Sequence, residues 1–150
     1  MNQSMRRMAT VCFLLTILFL AGGCHTFNQD WKNAALQPAT TNDLGGRWQG
    51  VWISESSGHT DKLRCVITHK DDGTYQARFH AKYHTIVSFG YTAPLNVEPA
   101  IANTYKFSGA ADLGWAAGGI YHYEGHADPT NFFSNYTSKY DHGVFKMTRP

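Results

Sequence analysis

Eight histidines in a chain of 150 residues raise metal binding first. The densest group is His122-Tyr123-Glu124-Gly125-His126. On a strand, alternate residues share a face and stand ~6.7 Å apart, so His122 and His126 are separated by ~13 Å. One ion with bonds of ~2 Å cannot take both. His122 with Glu124 is the pair that remains, and it needs a third ligand from a neighbouring strand. A solvated outer face accounts for the same residues without a metal. His80 and His84 meet the same distance problem and, with Arg78 and Lys82, mark an exposed face. No cofactor is implied.

Nucleophilic chemistry has no better footing. Ser54, Ser56 and Ser57 lie in a Ser-Glu-Ser-Ser-Gly loop without a nucleophile-elbow pattern. Glu55, Glu98, Glu124 and the aspartates are scattered, many in turns. Gly114-Trp115-Ala116-Ala117-Gly118-Gly119 lacks the strand, helix and lysine of a phosphate loop. The expectation is a non-enzymatic protein.

The chain has three cysteines, each with a different reading. Residues 1–23 have the build of a secretory leader: Arg6 and Arg7 are basic, and Val11 to Ala21 are apolar apart from Thr16. Leu20-Ala21-Gly22-Gly23-Cys24 resembles the bacterial lipobox. That resemblance implies that residues 1–23 are a signal peptide, that Cys12 leaves with it, and that Cys24 becomes the lipidated first residue. Several acyl chains make anchoring stable where a single chain gives only marginal binding. The expected place is therefore the bacterial cell envelope, held to a membrane through lipid. His25 stands where aspartate resembles an inner-membrane retention signal, which points to the outer membrane. Cys65 alternates with Leu63 and Ile67 and reads as a small core residue.

Removing the leader changes the charge balance. The chain has 13 Lys+Arg against 11 Asp+Glu, and Arg6 and Arg7 depart, so the mature chain is neutral with histidine uncharged. A nucleic-acid partner would want a basic excess, and none is expected.

Residues 24–44 are polar and mixed and read as a linker, with one or two helical turns at most over Trp31–Leu36. From residue 45 to 150 the dominant period is two. Trp48 to Ile53 and Leu63 to Thr68 read as strands, and Asp72-Gly73 supplies a hairpin turn. Tyr75, Ala77, Phe79, Ala81 and Tyr83 then alternate with Gln76, Arg78, His80 and Lys82, one face dry and one wet. Five more short segments follow: Ile86 to Tyr91, whose end is blurred by Pro94 and Pro99, then Tyr105 to Phe107, Ile120 to His126, Asn131 to Ser138 and Gly143 to Arg149. About eight strands and no convincing helix predict an all-β domain. Local hairpins favour an antiparallel up-and-down meander closing into a small barrel, which removes exposed edges.

Gly46-Arg47-Trp48 on the first strand and Arg149 on the last resemble the lipocalin and wider calycin pattern. The resemblance implies that the Arg149 side chain lies over the Trp48 ring and closes the barrel base. The Thr-Asp-Tyr signature of typical lipocalins has no counterpart here, and no helix follows the last strand.

Aromatic side chains sharing a face complete the picture: Trp52 with Trp48, Tyr75 with Phe79 and Tyr83, and Tyr121 with Tyr123. In a small barrel they either fill the interior or line a cup for an apolar ligand. The expected function is a membrane-tethered envelope lipoprotein whose barrel binds an apolar small molecule or lipid, or an envelope protein. The alternative is an envelope enzyme or enzyme inhibitor on a lipid anchor.

Overall fold

The computed structural model of the protein describes residues 26–37, 43–84 and 87–150. Residues 1–23, expected to be a leader, and Cys24 lie outside the described residues, as does Ile86. Among the described residues no helix is long and apolar enough to cross a membrane.

Eight strands make one closed barrel: β1 (Gly46–Ser54), β2 (Thr60–His69), β3 (Tyr75–Tyr83), β4 (Val87–Pro99), β5 (Tyr105–Asp112), β6 (Ile120–Ala127), β7 (Asn131–Thr137) and β8 (His142–Thr148). Each strand pairs antiparallel with the next, and β8 returns to β1 in a register running from Gln49–Thr148 to Ser54–Gly143. The up-and-down meander read from the alternation is therefore the observed topology. Side chains of one parity enter the core: Trp48 and Trp52 from β1, Ala77, Phe79 and Ala81 from β3, Phe132 and Tyr136 from β7.

Turn chemistry sets the hairpins. At Gly73 φ is +83°, which costs glycine little, and the Lys70 N–H donates to the Thr74 carbonyl at 2.8 Å. At the β6–β7 turn, Asp128 Oδ1 accepts from the Thr130 and Asn131 N–H groups, each at 2.7 Å. The Asn131 side-chain amide first, then those backbone donors, hold its carboxyl well below the usual carboxylate range.

β4 runs straight through Pro94, where the sequence suggested an uncertain end. The reason lies in the neighbouring strand. The Pro94 carbonyl lies close against Gly109 of β5, where a Cβ would meet it at 2.4 Å. The β4–β5 ladder ends at Leu95–Gly109, one residue short of the proline, whose ring has no N–H to extend it.

The linker reading of residues 24–44 needs correction. Residues 26–35 form a helix, α1, docked on the outer face of β1 to β3. Phe27 and Trp31, four residues apart, share one helical face. Phe27 is only 1% exposed and stacks on His80 with ring centres 4.9 Å apart. The Arg64 guanidinium lies over both rings, at 5.1 and 5.3 Å, and Arg47 lies over Trp31 at 5.2 Å. Arg78 pairs with Asp30 and donates to the Thr26 hydroxyl at 2.7 Å. The expected wet face of β3 is therefore partly covered: His80, read as exposed, is buried along with Val66 of β2.

Candidate ligand cavity

The barrel has a sealed end and an open end. At the sealed end, Arg149 Cζ stands 4.0 Å from the centre of the Trp48 ring. Its Nη2 donates to the Asp43 carbonyl at 2.8 Å and its Nη1 to the Gly45 carbonyl. Gly46 leaves room for this arm: at φ +109° it lacks a Cβ that would meet Arg149 Nη1 at 2.6 Å. The Trp48 indole N–H donates to the Leu44 carbonyl at 3.0 Å. Tyr75, grouped by its parity with the cup residues, belongs here instead. Its hydroxyl donates to Asp43 at 2.7 Å, and its ring stacks on His69 at 4.3 Å. Parity assigns a face, and height along the strand separates Tyr75 from Tyr83.

Halfway up, Phe79, Tyr91, Tyr123 and Phe145 pack ring against ring. Phe79 lies 5.1 Å from Tyr91 and 5.5 Å from Phe145, and Tyr123 lies 5.9 Å from Phe145. This layer is a floor. Phe79 and Tyr123, two of the expected cup residues, are packed into it. Burial pushes the Tyr123 phenol up. Its hydroxyl, inside a side chain 2% exposed, is set against the Tyr91 hydroxyl.

Above the floor is a cavity of about 500 Å³, open at the loop end. Trp52, Tyr83 and Tyr121, the other expected cup residues, line it together with Phe89, Tyr91 and Tyr136. Trp52 is held by its indole N–H, which donates to the Lys82 carbonyl at 2.9 Å. The sequence reading missed Phe89, Tyr91 and Tyr136, as well as the polar part of the wall. Asp141 accepts from the Ser54 hydroxyl at 2.7 Å and the Tyr136 hydroxyl at 2.9 Å. Burial, then the hydrogen bond to Asp141, pushes the Tyr136 phenol up. Asp112 also lines the cavity and accepts from the Gly114 N–H at 2.8 Å.

The wall is also split on one side. Above Leu95–Gly109, β4 pairs only with β3 and the end of β5 only with β6. Phe89, Gly90 and Tyr91 border this slot on one side, with Asp112 and Leu113 on the other.

The remaining candidates fall elsewhere. His122, Glu124 and His126 are exposed on the outward face of β6. Among the described residues no group of three or more metal-ligating side chains converges. Cys65 is fully buried in the core, where desolvation raises its thiol well above the ordinary value.

One contact on the rim resembles hydrolase machinery. Ser56 Oγ lies 3.0 Å from His142 Nδ1, and His142 Nε2 lies 3.9 Å from Glu55. All three residues are exposed. The nearby Ser57 and Gly58 N–H groups are spent on Ser54, at 3.1 and 2.9 Å. They therefore do not form the oxyanion site that acyl transfer requires.

The fold and cavity define a closed eight-stranded meander barrel of lipocalin-like architecture, sealed at one end. Comparison with protein families, curated proteins and solved structures returned no match.

Proposed function

We propose that this protein is an exported, lipid-anchored binding module of the bacterial cell envelope, whose barrel takes up a small molecule with a large apolar body. The observation that carries the reading is the aromatic-walled cavity of about 500 Å³ above a packed floor. A barrel serving only as a scaffold fills its interior with its own side chains. Here the lower half is filled and the upper half opens at both mouth and side. The volume falls in the range of small-molecule sites.

The lipobox-like segment ending at Cys24 supports the anchor and, with His25, an outer-membrane location. The described part of helix α1 opens at Thr26, two positions after Cys24 in sequence, and is docked on the barrel. The proposed arrangement therefore holds the domain close to the membrane surface instead of at the end of a long tether.

A second reading, a protein partner, rests on Trp115 in the β5–β6 loop, which is 92% exposed. A single aromatic anchor can dominate a protein interface, and an inhibitor would present such a loop to a target enzyme.

Native mass spectrometry of the protein purified from its own membranes tests the main reading. A retained small molecule, released on denaturation, is the expected result. Chain mass alone, with a co-purifying protein that Trp115→Ala abolishes, favours the second reading.

A further inference from the structure

We propose that the ligand of the cavity is an organic cation: an apolar, ring- or alkyl-bearing body carrying an ammonium group. This inference rests on the binding-module reading above and adds the charge of the ligand to it.

The wall combines two kinds of group. Trp52, Tyr83, Tyr91, Tyr121 and Tyr136 present aromatic rings, whose faces attract a cation most strongly once it is stripped of water. Asp112 and Asp141 contribute two carboxylates to the same wall. Among the described residues neither is in an ion pair: the pairs present join His59 with Asp61, His69 with Asp43, Arg78 with Asp30 and His142 with Glu55. No lysine, arginine or histidine of the described residues lines the cavity. His59 lies tilted and His84 edge-on against Tyr83, and neither lines the cavity.

The balance matters because the chain has basic residues and places them elsewhere. Arg47, Arg64 and Arg78 all serve the docking of α1, and Arg149 seals the far end. A fatty acid or other anion entering the mouth would bring its charge beside two carboxylates, with no cation among the described lining residues to answer it. That like-charge contact discriminates against anions. Asp141 is also held in place: its two oxygens are fixed by Ser54 and Tyr136, so little further ordering is needed on binding.

Tryptophan-fluorescence titration of the full chain with three probes tests the inference. The probes are benzyltrimethylammonium, its neutral isostere neopentylbenzene, in which carbon replaces nitrogen, and phenylacetate. The cation is expected to bind about tenfold tighter than the neutral isostere, and phenylacetate weakest. Asp112→Asn should reduce that preference. Adding Asp141→Asn, which keeps an acceptor beside Ser54 and Tyr136, should erase it while neopentylbenzene binding persists. Neutral binding as tight as the cation's overturns the inference and leaves the apolar cup standing. A cation preference that survives both substitutions overturns it as well. Failure of all three probes overturns the cup and the inference together. If the double variant loses every probe, Asp112→Asn alone decides: an unchanged cation preference overturns the inference, and a reduced one supports it.

Discussion

Arg149, one residue from the end of the chain, lies 4.0 Å above the ring of Trp48 near its beginning as a folded unit. The contact joins β8 to β1 at the end of the barrel where Asp43 and Gly45 offer their carbonyls. Burial depresses the arginine's pKa, with Asp43 opposing, so its partners replace only part of the hydration that the charge gives up. Losing the cation–π contact and two charged hydrogen bonds should cost about 2–4 kcal/mol in Arg149→Ala. Arg149→Lys should recover less than half, because an ammonium cannot fork to two carbonyls while covering an indole. Urea denaturation midpoints of the three proteins give the answer.

Docking of α1 makes stability depend on pH through His80. Burial first, then Arg64 and Lys82, lower the pKa of its imidazole from the ordinary 6.5. Below that value the unfolded chain binds the proton more readily than the folded one, so stability rises with pH through this window. The contribution is complete above about pH 6.5 and is lost as pH falls toward the folded-state pKa. His80→Phe keeps a ring against Phe27 and removes the titration. Its loss of stability between about pH 7.5 and about pH 5.5 should be smaller than wild type's in matched denaturation curves.

Much of this fold was legible because barrel strands write their parity into sequence. The alternation from Tyr75 to Tyr83 and the Asp72-Gly73 turn needed no tertiary information. Helix α1 was not legible in the same way. Phe27 and Trp31 have a helical spacing, but their partner is the outward face of β2 and β3, which local alternation labels as wet. Val66 and His80, a valine and a histidine on that face, were the only local signs of a cover. The cup was legible in part. Parity brought Trp52, Tyr83 and Tyr121 to the interior, but it could not tell Tyr75 at the sealed base from Tyr83 at the mouth. Phe89, Tyr91 and Tyr136 lie in segments read as strands, Ile86 to Tyr91 and Asn131 to Ser138, whose inward faces were not assigned. Asp112 and Asp141 stand at strand ends, where an aspartate ordinarily reads as a turn former.

Cys65 offers a chemical check on the core. The thiol is buried and its pKa is raised well above the ordinary value by desolvation, so it is protonated and shielded at neutral pH. Iodoacetamide should leave it unmodified in the native protein and alkylate it in denaturant, read by intact mass. Rapid native labelling would place the thiol at the surface.

The proposed anchor depends on a single atom, the sulfur of Cys24. Cys24→Ser should abolish palmitate incorporation and move the protein from the membrane pellet to the soluble fraction. Label entering the Cys24→Ser protein would show that the lipid, if any, is attached elsewhere.

The cavity is the centre of the functional account, and Ala81 gives direct access to it. This residue is 3% exposed, points inward from β3 and lines the wall. Ala81→Trp fills space that the account reserves for a ligand, while the sealed end and its Trp48–Arg149 contact stay remote from the change. Titration with the neutral fluorescent probe N-phenyl-1-naphthylamine should show saturable one-to-one binding by the wild-type protein, lowered by about tenfold or more in Ala81→Trp. The variant's far-ultraviolet circular dichroism should match wild type. Absence of saturable binding by the wild-type protein, or equal affinity in a folded Ala81→Trp variant, would contradict the claim that this barrel is a ligand cup.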